Sequence, residues 1–134
     1  MKILIDGVAF ALQRTGGIST YWLGLLPAMA EAATDARFYI TLPSRLREAF
    51  RYENVTPLPL RFVVPRRVFE PFDSLRLRCA CRNCGAEIFH STYFTLPGNA
   101  RMPGIITVYD TIYEALPEFF PTEPALQPIR LAPR

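Results

Sequence analysis

No apolar run in these 134 residues reaches the ~18 that would cross a bilayer. The opening MKILID sets a lysine ahead of an apolar run, but Asp6 interrupts it after three residues. No small-residue cleavage site follows, so no secretory leader is expected. Three cysteines cannot make an even disulfide framework, which points to a reducing, cytoplasmic setting. Lysine is nearly missing, since fourteen of the fifteen cations are arginine. There is no internal repeat, no GxGxxG and no GxxxxGK[ST], so the two common nucleotide fingerprints are excluded.

What is present reads as one modest globular domain. Half the residues are apolar and one fifth charged, enough for a real core. The charge is uneven. Residues 45–82 hold nine cations against Glu48, Glu53, Glu70 and Asp73, a net +5, and the remainder carries −2. Such a segment points to an anionic partner, although arginine-rich coding in general produces the same bias. No nucleic-acid partner is expected.

Along the chain, strands alternate with helices. Residues 2–6 form a short apolar run ending in Asp-Gly and read as a buried strand. Ile18, Tyr21, Trp22, Leu25, Leu26, Met29, Ala30 and Ala33 recur at helical spacing as one stripe. Pro27 lies off that stripe and is expected to kink the helix, at ~3 kcal/mol that packing must offset. Residues 37–42 are the next strand, residues 44–50 a short helix capped by Ser44, and residues 60–64 a third strand. Phe69, Phe72, Leu75 and Cys79 mark the buried side of a helix running to about Asn83. Residues 86–90 and 104–109 are the fourth and fifth strands. The fold class is α/β: Rossmann-like, a mostly parallel sheet with helices on both faces. Residues 122–134, with prolines at 124, 128 and 133, read as an irregular tail.

In open parallel sheets, ligands bind beyond the carboxyl ends of the strands. Asp6, Gly16, Gly17, His90, Thr92, Asp110 and Thr111 all follow strand ends and are expected along one edge. The glycine pair opens the first helix, where backbone N–H groups are unpaired and the dipole favours an anion. One glycine permits a positive-φ turn; the second removes a Cβ that would keep a ligand from the backbone. The pair also reads as an ordinary loop tip.

Three stretches, KILIDGVAFALQRTGGISTYWLGLL, AEIFHSTYFTLP and GIITVYDTIYEALPEFFP, together resemble retaining glycosyltransferases of the GT-B fold, in the large family 4 group. That family opens with a strand ending in Asp, a loop, and a Gly-Gly element leading into helix one. It continues with a strand ending in Phe-His-Ser and a T-V-H-D-L…P-E-x-F segment. The resemblance spans residues 1–121. It implies the N-terminal, acceptor-side Rossmann-like half of a two-domain enzyme, whose donor-binding C-terminal domain, with its E-x7-E element, is absent.

By that resemblance Gly16 and Gly17, reinforced by Arg14, would meet the donor diphosphate. His90, Tyr109 and Asp110 would be the catalytic-side residues near the transferred sugar, with Asp6, Thr92 and Thr111 on the acceptor side. Each has a plainer reading as well: His90 as a strand-end hydrogen bond, Asp110 as a cap for the segment at Thr111, Arg14 as an exposed loop residue. Tyr109 stands where many members have histidine, and a phenol carries no proton-switching ring at neutral pH. The implied donor substrate is a nucleotide-sugar and the acceptor a saccharide or lipid-linked saccharide. No cofactor or metal is implied, and no D-x-D element occurs. The implied activity is hexosyl transfer, absent from this chain alone. The basic segment 61–82, with Arg61, Arg66, Arg67, Arg76, Arg78 and Arg82, is expected at an anionic membrane or lipid-diphosphate acceptor, giving a cytoplasmic protein peripheral to the inner face of the membrane.

Two alternatives stay open. Cys79, Cys81 and Cys84 form C-x-C-x-x-C, and with His90 make a nominal Cys₃His zinc set of irregular spacing. The chain also reads as a non-catalytic binding module or gene remnant that acts through a partner.

Overall fold

The computed structural model describes residues 1–12, 15–59, 66–93, 95–98, 101–110, 115, 116 and 119, with the backbone alone for residues 66–71. Among the described residues five strands form one sheet: β1 (Lys2–Ile5), β2 (Arg37–Thr41), β3 (Val55–Leu58), β4 (Ile88–Ser91) and β5 (Gly104–Ile106). Their order is β3-β2-β1-β4-β5, and every pairing is parallel. Helices α1 (Val8–Leu12) and α2 (Gly17–Ala32) lie between β1 and β2, a 3-10 helix (Ser44–Phe50) between β2 and β3, and α3 (Arg66–Cys84) between β3 and β4. This is an α/β, Rossmann-like architecture.

Helices cover both faces of the sheet. β1 is central, and its run Ile3-Leu4-Ile5 has no polar alternation because each face is buried. Ile3 and Ile5 turn to one side, where they meet Phe38 and Ile40 of β2, Phe10 of α1, Trp22 and Leu26 of α2, and Phe50. Leu4 turns to the other, where with Phe89 it meets Leu77 and Cys81 of α3.

The α2 stripe follows its sequence spacing. Ser19, Trp22, Leu26 and Ala30 are buried, with Ile18, Leu25, Met29 and Ala33 half-buried beside them. Tyr21, counted in the same stripe, is instead exposed. The helix runs through Pro27 to Ala32. Burying Trp22 and Leu26 contributes about 1.5–3 kcal/mol each, which offsets the ~3 kcal/mol of an internal proline.

Elsewhere the structure corrects the sequence reading. The strand expected at 60–64 lies outside the described residues; the third strand among them is Val55–Leu58, which the sequence reading left out. Pro57 hides it, because proline argues against a central strand. Here β3 pairs only with β2 among the described residues. Asn54 and Leu58 turn their carbonyls to β2, accepting from Phe38 N–H at 2.8 Å and Leu42 N–H at 3.1 Å. Alternate residues face opposite ways, so the nitrogen of Pro57 points away from the ladder.

Helix α3 is rotated from expectation. Phe72 is 60% exposed, Leu75 56% exposed, and Cys79 is exposed too; the side chain of Phe69 lies outside the described residues. The sheet-facing stripe is Asp73, Leu77 and Cys81, with Ala80 and Cys84 packed half-buried alongside. There Leu77 and Cys81 pack against Leu4 and Phe89 of the sheet.

Ser44 is not a cap: the N-cap position of its 3-10 helix is Pro43, with no side-chain hydrogen bond. The stretch after Asp6 is not all loop, since α1 starts there with Phe10 and Ala11 N–H groups on the Gly7 carbonyl. β5 ends at Ile106, earlier than residue 109. The tail at 122–134 lies outside the described residues.

Two glycines have a physical requirement that can be named. A Cβ at Gly7 would fall 1.6 Å from the Thr41 carbonyl oxygen, so the end of β1 can approach β2 only without a side chain. Gly85, at φ 65°, ends α3. Its N–H bonds Arg82 O, and the next N–H bonds Cys81 O, the paired closure that needs a left-handed residue.

Candidate functional site

β1 connects to β2 across one face, and β4 is reached across the other, so the carboxyl ends of β1 and β4 flank the switch point of the sheet. Asp6 sits there, fully buried. Its Oδ1 accepts from Thr92 N–H at 2.8 Å, from the Thr92 hydroxyl, and from Val8 N–H at 3.4 Å. Its Oδ2 accepts from the Ser91 hydroxyl at 3.2 Å and from the Thr95 hydroxyl. Burial pushes the carboxyl pKa above its ordinary value, with the Thr92 and Thr95 hydrogen bonds opposing. Asp6 therefore clamps the ends of β1 and β4 together rather than facing solvent.

A second cluster joins it. Tyr109 OH donates to Thr92 O at 2.6 Å and accepts from the Trp22 indole N–H. The Thr92 hydroxyl accepts Ala9 N–H at 3.0 Å. Tyr21 stands edge-on to both Trp22 and Tyr109. His90 lies edge-on to Trp22, with ring centroids 4.9 Å apart, and its Nε2 is 3.2 Å from the Thr107 hydroxyl. Burial lowers the His90 pKa, with the nearby Asp6 opposing, so the imidazole is neutral at pH 7. Burial likewise raises the Tyr109 phenol, which stays protonated.

Asp6, His90, Thr92 and Tyr109 are thus brought to one edge, from positions up to 103 residues apart in the chain. Asp110 follows Tyr109 and is exposed. Arg14 and Thr111 lie outside the described residues. Gly16 precedes α2 in extended backbone, φ 165°, with no side-chain cap on the helix. The expected positive-φ turn at the glycine pair is absent; among the described glycines Gly85 alone has a left-handed φ. Gly17 is exposed, and a Cβ built on it would meet nothing within 4 Å.

Ser91, Thr95, Trp22 and Thr107 went unnoticed as site residues. The signal for two of them was the hydroxyl-rich strand end STYFT, whose side chains can turn back onto the Asp6 carboxylate. The zinc reading loses its geometry. Cys79 is exposed, Cys81 is buried with its thiol pushed up to about 11, and both belong to α3. His90 pairs with Ile5 and contacts Trp22, on the opposite face of the sheet. No group of three metal-ligating side chains forms among the described residues. A groove of about 710 Å³ runs between α3 and β1–β3, lined by Lys2, Tyr39, Leu58, Arg76, Cys79 and Asn83, on the face away from α2.

Compared with protein-family models, curated proteins and solved structures, the chain matches none.

Proposed function

We propose that the chain is the acceptor-side half of a retaining glycosyltransferase of the GT-B type, with a nucleotide-sugar as donor and a saccharide or lipid-linked saccharide as acceptor. Gly17 carries the reading. Its φ is not left-handed and its surroundings are open, so neither strain nor packing asks for glycine. Unlike Gly24, which is equally open but mid-helix, it stands in the first turn of α2, where a ligand can lie against the backbone.

In this reading, N–H groups at the start of α2, whose N-cap Gly16 offers no side chain, face the donor diphosphate. They stabilise the charge that develops as the sugar leaves. Asp6 is a positioning residue that holds the β1 and β4 ends in register beneath the site. The phenol of Tyr109 is engaged with Thr92 and Trp22, so it positions the 107–110 segment and the exposed Asp110 supplies the carboxylate. Neutral His90 offers a hydrogen bond to a sugar hydroxyl. This half supplies donor contacts from one side of the cleft, so in this reading turnover needs a second, donor-binding half.

The test is amide NMR of the chain titrated with inorganic pyrophosphate and with a nucleoside diphosphate. Saturable shifts at Gly17 and Ile18 are expected in the millimolar range of a one-sided site, and lost in Gly17→Val with the melting temperature kept. Unchanged spectra, or identical shifts in the variant, end this reading. A non-catalytic module is the second reading, favoured by the internal saturation of Asp6 and Tyr109. It separates by probe, since a saccharide-binding module responds to an oligosaccharide and not to pyrophosphate.

A further inference from the structure

We propose that the groove between α3 and β1–β3 binds a medium-chain fatty acid, with its carboxylate held at Lys2. Side chains alternate along a strand, so Lys2 turns to the same side as Leu4, the α3 side. Tyr39, the register partner of Leu4, turns there too. With Leu58 and Ala80 it packs half-buried against the cluster of Leu4, Leu77, Cys81 and Phe89. Leu75 and Cys79, both exposed, form part of the α3 wall. The groove of about 710 Å³ between these walls is the size of a small-molecule site.

Charge decides which ligand fits. Lys2 and Asn83 line the end of the groove where β1 begins and α3 finishes. The Lys2 ammonium stands over Gly85, 3.6 Å from where a Cβ would be. The nearby acid is Glu87, whose carboxylate accepts the Lys2 backbone N–H at 2.6 Å and faces the terminal ammonium at 4.0 Å. Among the described residues the Lys2 side chain makes no ion pair with a carboxylate, and no acid lines the groove. Arg76 lies seven residues before Asn83 on α3, roughly 10 Å along the axis. It is already paired with Asp73 at 3.6 Å, so the argument rests on Lys2.

An ammonium and an amide at one end, followed by an apolar trough, match a two-oxygen monoanion on an aliphatic chain. The carboxylate meets Lys2, and the chain lies along Tyr39, Ala80 and Leu58. A phosphate would ask for more positive charge than one lysine supplies. No helix among the described residues is long and apolar enough to cross a membrane, and the ligand proposed is a free acid, not a lipid held in a bilayer. The proposal stands independently of the transferase reading, whose pyrophosphate site is at the start of α2, on the other face of the sheet.

Titration with decanoate below its micelle concentration, followed by amide NMR, tests it. Saturable shifts are expected at Lys2, Tyr39, Cys79 and Asn83, with a Kd on the order of 1 mM. Decylammonium, the same chain with the opposite charge, should bind about tenfold more weakly, and acetate should leave these amides unmoved. Lys2→Gln should weaken decanoate about tenfold. Cys79→Trp, which sets a ring into the groove from an exposed position, should weaken it at least as much, with circular dichroism confirming the fold of both variants. Decanoate should also slow alkylation of the exposed Cys79 thiol. Absence of saturable binding, equal affinity for decanoate and decylammonium, or parental affinity in the folded Lys2→Gln variant overturns the proposal. So does a concentration-dependent dimer that shifts the same amides without ligand, because a second copy would then fill the groove.

Discussion

The two faces of the sheet are built differently. The α2 face buries Trp22, Phe10, Phe38 and Phe50 around the aliphatic side chains of β1 and β2. Among the described residues the apolar cluster of the α3 face is smaller, Leu4, Leu77, Cys81 and Phe89, and Tyr39 and Leu58 line an open groove. The hydrogen bonds of the candidate site belong to the first face, running from Trp22 through Tyr109 and Thr92 to Asp6. Stability and the site are thus concentrated on the α2 side, while the α3 side keeps large apolar and cationic groups at the surface.

The largest expected effect tests that inequality directly. Trp22→Ala removes the largest fully buried side chain and the donor to Tyr109 OH, and should cost about 3–5 kcal/mol in denaturant unfolding. Phe72→Ala, at an exposed position, should stay within about 0.5 kcal/mol. Comparable losses at the two positions would erase the distinction between the faces.

Next in size is Asp6→Asn. An amide cannot accept all the donors that converge on the carboxylate, so a loss of about 1–3 kcal/mol is expected. The pH profile sharpens the assignment. Burial raises the folded pKa above the ordinary 3.8, so the stabilisation linked to the Asp6 proton is present below 3.8 and lost as pH rises through the folded value. The gap between wild type and Asp6→Asn should therefore narrow as pH rises from 3.8. A gap independent of pH would mean that the carboxyl stays ionised in the fold.

These contrasts also explain what could be read in advance. β1 and the α2 stripe were legible because continuous apolar runs and a three-four spacing admit few other structures. α3 misled because Phe72 and Leu75 outweigh Leu77 and Cys81 in hydrophobicity, whereas the docking of the helix on Leu4 and Phe89 decides which stripe is buried. β3 was hidden by Pro57, whose missing N–H matters only when a neighbour lies on its outer side. The convergence of Asp6, His90 and Thr92 followed from the strand-end rule, whereas Tyr109 came only from the family resemblance. That Asp6 would spend its oxygens on Thr92, Ser91 and Thr95 did not follow, because the conformation of the loop after β4 decides it.

A smaller effect concerns His90, the one histidine in the chain, so its NMR titration is unambiguous. Burial against Trp22 holds its pKa below 6.5. The linked stability is present above 6.5 and lost as pH falls through the folded value. His90→Gln should flatten that acid-side slope while changing stability little at pH 8. A His90 pKa at or above 6.5 would show instead that the imidazole reaches water or gains from Asp6.

The smallest expected change in stability separates a helix glycine from a ligand-facing one. Gly24 and Gly17 are both exposed residues of α2, and a Cβ at either would meet nothing within 4 Å. Alanine at Gly24, mid-helix, should stabilise the fold by up to about 1 kcal/mol through helix propensity. Alanine at Gly17, in the first turn, should give only a few tenths. Neither substitution has a clash to relieve, so both variants should melt at or slightly above the wild type. Their responses to pyrophosphate should differ. A methyl group at Gly17 stands where the anion would reach the first-turn amides, so the shifts at Gly17 and Ile18 should weaken, while Gly24→Ala should titrate like the parent. Equal titrations in the two variants would make Gly17 an ordinary first-turn residue, and the open space above it would need no ligand.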